Sequence, residues 1–377
     1  MKHAIIISRK EIRRLAGLRS EQGILSTYLK LDPRLTYDRA QHIAKFKGAL
    51  KRFAREAGDP WLSSVAEREK NRLLEFLELW QPRGRSLVIF SSQPADIWEV
   101  VHLDVLVPTF VTVDRTANIG LLAQVLDEYP CFAVAVVQRD HAKVYITEQR
   151  SAEGLAEISS DVPGQHDQGG WSQARFQRHI EFHYGLHLNR LVEQLEDLHR
   201  DRPFKQLVIG CGEDTTSELM KMLPDDLAGR VIGTFRVDFK HESEAEILQR
   251  AGSLREENQR RSERELIDQI VGAAESGGQG VVGIDGTLQA VLDGGVHVLA
   301  VAEGIAAKGS ECLNCGYFAA KEFAECPACG GESEPVPDVI DRAIEKAYLA
   351  GARVEVVLGE AREWLLARGG LGAVLRY

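Results

Sequence analysis

The amino-acid sequence predicts an α/β protein with three α/β domains. The first observation is that short apolar strand patterns alternate with amphipathic helical patterns, which is typical of mostly parallel sheets covered by helices. The second is a glycine-rich polar stretch that precedes one long helical pattern. The third is a cluster of cysteines in the last part of the chain. We expect the domains to span residues 1–125, 126–273 and 274–377.

Composition excludes several classes of protein. The 377 residues suffice for two or three domains with real cores. A net charge of −10 argues against a general nucleic-acid coat protein but leaves room for local basic surfaces. No apolar run approaches the roughly 20 residues that span a bilayer, and the apolar part of the N-terminal segment is too short for a signal peptide. We therefore expect a cytoplasmic protein with no membrane partner.

The first predicted domain has a basic side. Its helical and strand patterns alternate along the chain, at residues 9–18, 23–31, 39–55, 61–80, 86–91 and 98–113. Pro108 interrupts the last of these strand patterns. The 39–55 helix has one apolar face, formed by Ile43, Phe46, Leu50 and Phe53. Its other face carries cations that we expect to contact RNA phosphates, namely Lys45, Lys47, Lys51 and Arg52.

The central domain is predicted to be a mostly parallel sheet with helices on its faces. A hairpin is expected at 131–138 and 143–148, and further strands at 206–211 and 230–239. The remaining elements are helical, at residues 173–200, 215–223 and 243–273.

A polar stretch lies between the hairpin and the long helix. It contains nothing that could anchor a core, and Gly169 and Gly170 lift the steric limit on φ, so the backbone can turn sharply or approach a ligand closely. Ser172 suits a helix N-cap. The helix then shows a single apolar stripe, formed by Phe176, Ile180, Tyr184, Leu188, Leu191, Leu195 and Leu198.

The charges on this helix oppose the helix dipole. Its first half is loaded with cations and histidines, namely Arg175, Arg178, His179, His183, His187 and Arg190. Acidic residues lie near its end, at Glu193, Glu196 and Asp197. A dipole prefers the reverse, typically by about 0.3–1 kcal/mol per terminal charge. The helix therefore suits an external anion such as RNA phosphate; the alternative is a solvated polar face that happens to carry histidines.

The last predicted domain restarts the alternation after a glycine-rich joint at residues 275–280. Its patterns predict a small α/β/α sandwich that ends in a further helix, at residues 286–293, 296–302, 339–349 and 353–358. The joint contains Gly277-Gly278-Gln279, which we interpret as a flexible linker because such joints between periodic segments are ordinary.

Four cysteines form two C-x-x-C knuckles with ten residues between them, Cys312, Cys315, Cys326 and Cys329. In a cytosolic chain such clustering favours a metal over disulfides. Two knuckles present four thiolates to one tetrahedral Zn²⁺, with Zn–S about 2.3 Å. Gly316 and Gly330 allow the positive-φ turns that aim backbone amides at sulfur. We predict a structural zinc site inserted in the sandwich; the alternatives are redox pairs and a chance clustering of cysteines.

The loop and helix carry the pattern H-x-x-G-G-x-S-x-x-R-F-x-R, from His166 to Arg178. This resembles the central-domain loop of archaeal and eukaryotic class-1 release factors. Residues 283–290 and 294–296 are similar to the start of the third domain of release factors and Pelota, and a four-cysteine insertion there looks like the archaeal members. The bacterial-type relatives include ribosome-quality-control peptidyl-tRNA hydrolases and the hibernation factor Balon. None of the family's stop-codon-reading motifs occurs in the first domain.

The resemblance implies a translation factor that occupies the ribosomal A site. The first domain would lie at the decoding centre, the central loop would reach the peptidyl-transferase centre beside P-site tRNA, and the third would contact a translational GTPase such as elongation factor Tu. Gly169, Gly170 and Gln173 would act at the peptidyl-tRNA ester by placing water and stabilising the oxyanion. The residues expected to contact rRNA or the tRNA end are His166, Trp171, Arg175, Arg178 and His179.

One position departs from the family pattern. The release factors have a glutamine directly after Gly-Gly, and this chain has Trp171 there. An indole cannot orient water as an amide does, although it can stack on an unpaired base for about 1–3 kcal/mol. Gln173 is the nearest glutamine and could take the role if the loop turns differently. A hydrolase and a non-catalytic A-site hibernation factor therefore both stay open, with a zinc-bearing adaptor unrelated to ribosomes as a third alternative.

Overall fold

A computed structural model describes residues 8–31, 39–148, 151–159, 173–238 and 241–377. The chain divides into two compact units. Met1–Glu128 and Ser262–Tyr377 together form the first, which we call the terminal unit, and Tyr129–Arg261 forms the second, the central unit. Both are mixed α/β, as predicted. The first and last predicted domains fall in the same unit, and the division into three domains stays a prediction.

The first half of the terminal unit is an antiparallel sheet with the strand order β3-β2-β1-β4. Its elements are α1 (Arg9–Ala16), β1 (Arg19–Lys30), α2 (Arg39–Glu56), α3 (Pro60–Leu79), β2 (Ser86–Ser92), β3 (Ile97–Leu103), β4 (Phe110–Thr116) and α4 (Gly120–Glu128). Phe46 and Leu50 of α2 are buried against this sheet, and Ile43 and Phe53 pack at the edge of the same core, which confirms the predicted apolar face. The segment around Pro108 separates β3 from β4, which lie on opposite edges of the sheet.

The central unit has a mixed sheet with the order β7-β6-β5-β8-β9. Its elements are β5 (Phe132–Val137), β6 (His141–Glu148), β7 (Ser151–Ser159), α5 (Gln173–Asp201), β8 (Gln206–Gly210), α6 (Glu213–Met222), α7 (Asp225–Ala228), β9 (Val231–Phe235) and α8 (Glu244–Glu275). Only the β5–β8 and β8–β9 pairs are parallel. The prediction of a mostly parallel sheet is wrong, because β7 extends the predicted hairpin as a third strand of an antiparallel meander.

Alternate residues of β5 enter two different cores of the central unit. Ala133 and Ala135 pack with Leu191 of α5, whereas Val134 packs with Ile247 of α8. Neither face of this strand is exposed to solvent, so neither carries polar side chains. Residues 132–137 are therefore an unbroken apolar run in the sequence.

The second half of the terminal unit contains a four-stranded sheet, β10-β16-β11-β15, and the small sheet β13-β12-β14. Its elements are β10 (Gly280–Val282), α9 (Ile284–Leu292), β11 (Val296–Ala302), β12 (Gly309–Cys312), β13 (Phe318–Ala319), β14 (Ser333–Val336), α10 (Val339–Leu349), β15 (Arg353–Val357), α11 (Gly359–Leu366) and β16 (Leu371–Leu375). The end of α8 and helix α11 pack in one core against the larger sheet. Helices α9 and α10 also contact strands of this sheet. A sheet covered by helices agrees with the predicted sandwich.

The Gly277-Gly278-Gln279 tripeptide forms a turn inside the terminal unit. The amide of Gly278 donates to the carbonyl of Ala273 at 2.8 Å, and the amide of Leu375 donates to the carbonyl of Gln279 at 2.9 Å. A Cβ on Gly280 would lie 2.6 Å from the carbonyl oxygen of Ile270. Residues 275–279 of this hydrogen-bonded turn are exposed, and their interpretation as a flexible linker stays a prediction. Among the described helices, none has the length and apolar character of a membrane-spanning segment.

Candidate functional site

Helix α5 is anchored through its second half. Leu188, Leu191 and Leu195 are fully buried, and Tyr184 and Leu198 pack against the same core. The hydroxyl of Tyr184 also donates to Oγ1 of Thr215 on α6 at 2.6 Å. The predicted apolar stripe is thus confirmed over residues 184–198. The side chains of its first two members, Phe176 and Ile180, lie outside what the structure describes.

His187 does not belong to the exposed cationic face on which the sequence placed it. Its side chain is fully buried, and its ring is hydrogen-bonded to the backbone of Gln138 and His141 in the turn between β5 and β6. Burial lowers the pKa of His187, and those hydrogen bonds only partly counteract the effect. His187 therefore fixes α5 to the hairpin and is not an exposed contact.

The first half of α5 is open to solvent over the part that the structure describes. Arg178 and His179 are exposed, and Phe182 has 62% of its surface exposed. The Nε2 atoms of His179 and His183 lie 3.2 Å apart, and the ring of Phe182 meets His183 edge-on at 5.7 Å. The structure therefore places the two predicted contacts Arg178 and His179 on an accessible surface.

The other predicted residues near this helix cannot be placed. His166, Gly169, Gly170, Trp171 and the N-cap Ser172 lie outside the described residues. Gln173 is the first residue of α5 and Arg175 follows in its first turn, but their side chains lie outside the described part as well.

The four cations of α2 have different surroundings. Nζ of Lys45 donates to the carbonyl of Lys30 at 3.2 Å, and Nη2 of Arg52 donates to the carbonyl of Thr109 at 3.2 Å. Lys47 and Lys51 are exposed. Two of the predicted RNA contacts thus also bond to the backbone of their own unit, and all four stay predictions.

The four clustered cysteines converge on one point. Their Sγ atoms all lie within 4.8 Å of one another. The distance is 3.5 Å from Cys312 to Cys329 and 3.6 Å from Cys315 to Cys326. Four sulfurs in a tetrahedron around Zn²⁺ would be about 3.8 Å apart, given Zn–S of about 2.3 Å. The cluster could therefore hold a metal ion, and its all-thiolate donor set suits zinc.

The turns that present these sulfurs have the predicted geometry. Gly316 has φ of 70° and Gly330 has φ of 72°, a region that side chains rarely adopt. The amide of Asn314 points at the sulfur of Cys312, and the amide of Ala328 at that of Cys326, both at 3.4 Å. Such N–H···S contacts orient metal-binding thiolates and help to neutralise their charge.

A buried ionic cluster in the terminal unit escaped sequence reasoning. Arg342 of α10 is 2% exposed, and its guanidinium contacts Asp114 at 3.0 Å, Glu311 at 2.9 Å and Glu345 at 2.6 Å. It also donates to the hydroxyl of Thr116. Arg342 therefore joins β4, the cysteine-bearing strand β12 and its own helix.

Comparisons with known proteins find similarity to release factors. Residues 118–256 match the model of Bacterial archaeo-eukaryotic release factor family 10. The chain is similar to Peptide chain release factor subunit 1 of Methanocaldococcus jannaschii, with 24% identity in an alignment of 406 positions, gaps included, that spans 96% of each chain. Peptide chain release factor subunit 1 of Thermococcus kodakarensis is 25% identical in an alignment of 344 positions, gaps included, that spans 81% of this chain and 82% of that one.

A solved structure of an archaeal translation termination factor, aRF1, covers 98% of this chain and 99% of its own, with 17% identity and a TM-score of 0.29. The fold and the sequence similarities define a release-factor-like α/β protein. These similarities support assignment of the chain to the superfamily of archaeal and eukaryotic class-1 release factors and Pelota.

Proposed function

We propose that this protein is a ribosome-associated translation factor of the cytoplasm that occupies the A site and directs the loop before α5 toward the peptidyl-transferase centre. One observation carries the proposal: the similarity to an archaeal peptide chain release factor extends over 96% of both chains. The exposed Arg178 and His179, which follow the Gly-Gly loop closely in the sequence, support it, because guanidinium and imidazole N–H groups can donate to the phosphates of rRNA or tRNA.

In the proposed reaction water attacks the ester of peptidyl-tRNA. Gly169 and Gly170 allow the backbone to approach the ester, and their N–H groups stabilise the developing oxyanion. The amide of Gln173 is neither an acid nor a base at neutral pH, so it acts by holding the water. Good placement of reactants is worth up to about 7–11 kcal/mol. The buried stripe of α5 supports this arrangement by anchoring the helix that carries Gln173.

The second candidate function is a hibernation factor that occupies the A site without cutting peptidyl-tRNA. The observation in its favour is Trp171, which stands where the release factors have their glutamine. In this case Trp171 stacks on an unpaired base, with His166 and Arg175 on neighbouring phosphates, and the site holds the ribosome inactive.

The other parts of the chain receive corresponding roles. The cations of α2 (Lys45, Lys47, Lys51 and Arg52) contact rRNA at the decoding centre. Cys312, Cys315, Cys326 and Cys329 hold a structural Zn²⁺ that fixes the small sheet β13-β12-β14. The second half of the terminal unit contacts a translational GTPase such as elongation factor Tu.

Ribosome binding is tested by co-sedimentation through sucrose gradients. We expect the protein to travel with 70S particles or large subunits and to dissociate steeply as salt is raised, because phosphate contacts release counterions. A protein that stays at the top of the gradient at low salt would instead be the adaptor unrelated to ribosomes.

Hydrolysis is tested with ribosomes that carry peptidyl-tRNA. If the protein is a hydrolase, Gln173→Ala abolishes peptide release while ribosome binding persists. If it is a non-catalytic occupant, the parent protein releases no peptide and Trp171→Ala weakens binding. Gln249→Ala on α8 is a matched control and should leave both measurements unchanged.

A further inference from the structure

Two histidines on α5 are arranged as a chelating pair. His179 and His183 are one helical turn apart, which places both side chains on the same face of the helix. Their Nε2 atoms lie 3.2 Å apart and their ring centroids 4.4 Å apart, with the ring planes inclined by 55°. The two nitrogens that face each other are therefore the ones that imidazoles use to bind metals.

The separation of the two nitrogens suits one metal ion between them. With Zn–N of about 2.0–2.1 Å and a near-tetrahedral angle, two nitrogens bound to one Zn²⁺ lie about 3.1–3.4 Å apart. The measured 3.2 Å lies within this range. A hydrogen bond between two neutral imidazoles would give a similar distance, so the test below separates the two interpretations.

The surroundings leave this pair accessible to an ion. His179 is exposed and His183 is partly exposed, whereas His187, the next histidine along the helix, is buried and bonded to the hairpin backbone. Within the described residues, the cysteine cluster is the one group of three or more close metal-ligating side chains. The histidine pair thus supplies two ligands and leaves further coordination positions to water or another oxygen donor.

We propose that His179 and His183 form a binding site for Zn²⁺ or a similar late first-row divalent ion, separate from the cysteine cluster. Neutral imidazole suits this class of ion, and the helix holds the two ligands at chelating distance before the metal arrives. The bound ion would link both ends of the helical turn from His179 to His183 and so stabilise it. This turn lies between the exposed first half of α5 and its buried apolar stripe. This inference does not rest on ribosome binding.

The test is a zinc titration of the full-length chain whose cysteine cluster has first been filled with zinc. Isothermal calorimetry should detect one further equivalent of Zn²⁺. His179→Gln and His183→Gln should each weaken this binding about 100-fold or more, because a chelate that loses one ligand also loses its effective-concentration advantage. His241→Gln is the matched control, since His241 is an exposed histidine of the same unit whose ring pairs with Asp238.

Hydrogen exchange provides a readout that a merely adventitious surface ion would not produce. With free zinc at about 100 times its Kd, amides of α5 that exchange by opening of the clamped turn should exchange about 100-fold more slowly. This protection should be lost in both α5 variants and kept in the control. Absence of a further equivalent, or protection that survives in His183→Gln, would overturn the site and show that the rings are only hydrogen-bonded. Neither result would bear on co-sedimentation with ribosomes.

Discussion

At the scale of single residues, Arg342 carries the largest concentration of charge inside the terminal unit. Burial alone lowers the pKa of its guanidinium, but the nearby Asp114, Glu345 and Glu311 outweigh burial and raise that pKa overall. The group is therefore ionised and stabilises three carboxylates, of which Glu311 also lies 3.3 Å from Nζ of Lys346. Removal of one partner from such a cluster costs much more than the cluster as a whole contributes.

We expect Arg342→Met to lower the free energy of unfolding by about 3–5 kcal/mol, since it leaves acidic groups buried and unpaired. Urea denaturation measures this loss. The matched control is Arg55→Met, because Arg55 is 76% exposed and pairs with Glu56, which is 70% exposed, and such a surface ion pair is worth at most about 1 kcal/mol. Equal losses in the two variants would contradict this account of the cluster.

Gly120 gives a second test at this scale. Its amide donates to Oδ1 of Asp341 at 2.6 Å, and a Cβ at this position would lie 2.8 Å from the same oxygen. We expect Gly120→Ala to cost about 1–3 kcal/mol of stability, as overpacking does. In Gly48→Ala, at an open position within α2, the same change should instead stabilise by about 0.5–1 kcal/mol. A stabilising Gly120→Ala would disprove the close contact.

The sequence could not reveal these residues. Arg342, Glu345 and Lys346 lie on α10 at the spacing of an ordinary solvated face. They are buried or shielded because β4 and β12 pack over them, and β4 is more than two hundred positions away in the chain. A tertiary contact of this kind leaves no local pattern. Only the cysteine knuckles, whose spacing is itself the chemical signal, could be predicted residue by residue.

At the scale of elements, long or strongly apolar segments are predicted more accurately than short or weakly apolar ones. The bounds of α10 and of β11 agree with the predictions to the residue, and α5 agrees to within one. The strands β7 and β16 were missed. β7 is rich in small and acidic residues and has one β-branched residue, Ile158, and β16 is a short run directly behind a glycine pair. Neither segment has a strong intrinsic strand propensity, so each forms a strand because it pairs with its neighbours in the sheet.

The sheet β13-β12-β14 depends on its cysteines. Its strands have two to four residues, too few for independent stability. We expect Cys326→Ser to remove one tightly held zinc per chain and to abolish hydrogen-exchange protection over residues 309–336, because structural zinc supplies folding free energy. Cys211→Ser, at a cysteine outside the cluster, should leave the zinc content unchanged. Full zinc content in Cys326→Ser would refute the four-cysteine site.

At the scale of the whole molecule, the early and late parts of the chain build the terminal unit together. Polar contacts join them at several places. Gln124 donates to Glu303 at 2.7 Å, and the amide of Val356 donates to Asp127 at 2.9 Å. An interface rich in buried carboxylates makes the stability of this unit sensitive to pH.

Burial raises the pKa of Asp341 well above its ordinary 3.8, and Asp338 adds to the effect. Burial likewise raises the pKa of Asp127, with a further contribution from Glu355. Between the ordinary and the raised values the folded protein holds protons that the unfolded chain releases. The free energy of unfolding must therefore fall as pH rises through this window.

Asp341→Asn should flatten this pH dependence, since the amide oxygen can still accept the Gly120 N–H and no charge forms. We expect the variant to gain stability relative to the parent protein as pH is raised from about 5 to about 8. Urea denaturation at each pH measures the difference. Glu75→Gln, which removes an exposed acid of α3, is the control. Parallel curves for Asp341→Asn and the parent would show that Asp341 does not carry the effect.

The position of β16 has a consequence for biosynthesis. This strand is the last of its sheet in chain order, yet it pairs with both β10 and β11. A ribosome that adds about 5–20 residues per second needs roughly 5–20 s to proceed from Gly280 to Leu375. Throughout that interval the nascent polypeptide presents two strands whose mutual neighbour has not yet been made. The sheet can close only after Leu375 has been made, and until then its open edges are a natural target for chaperones.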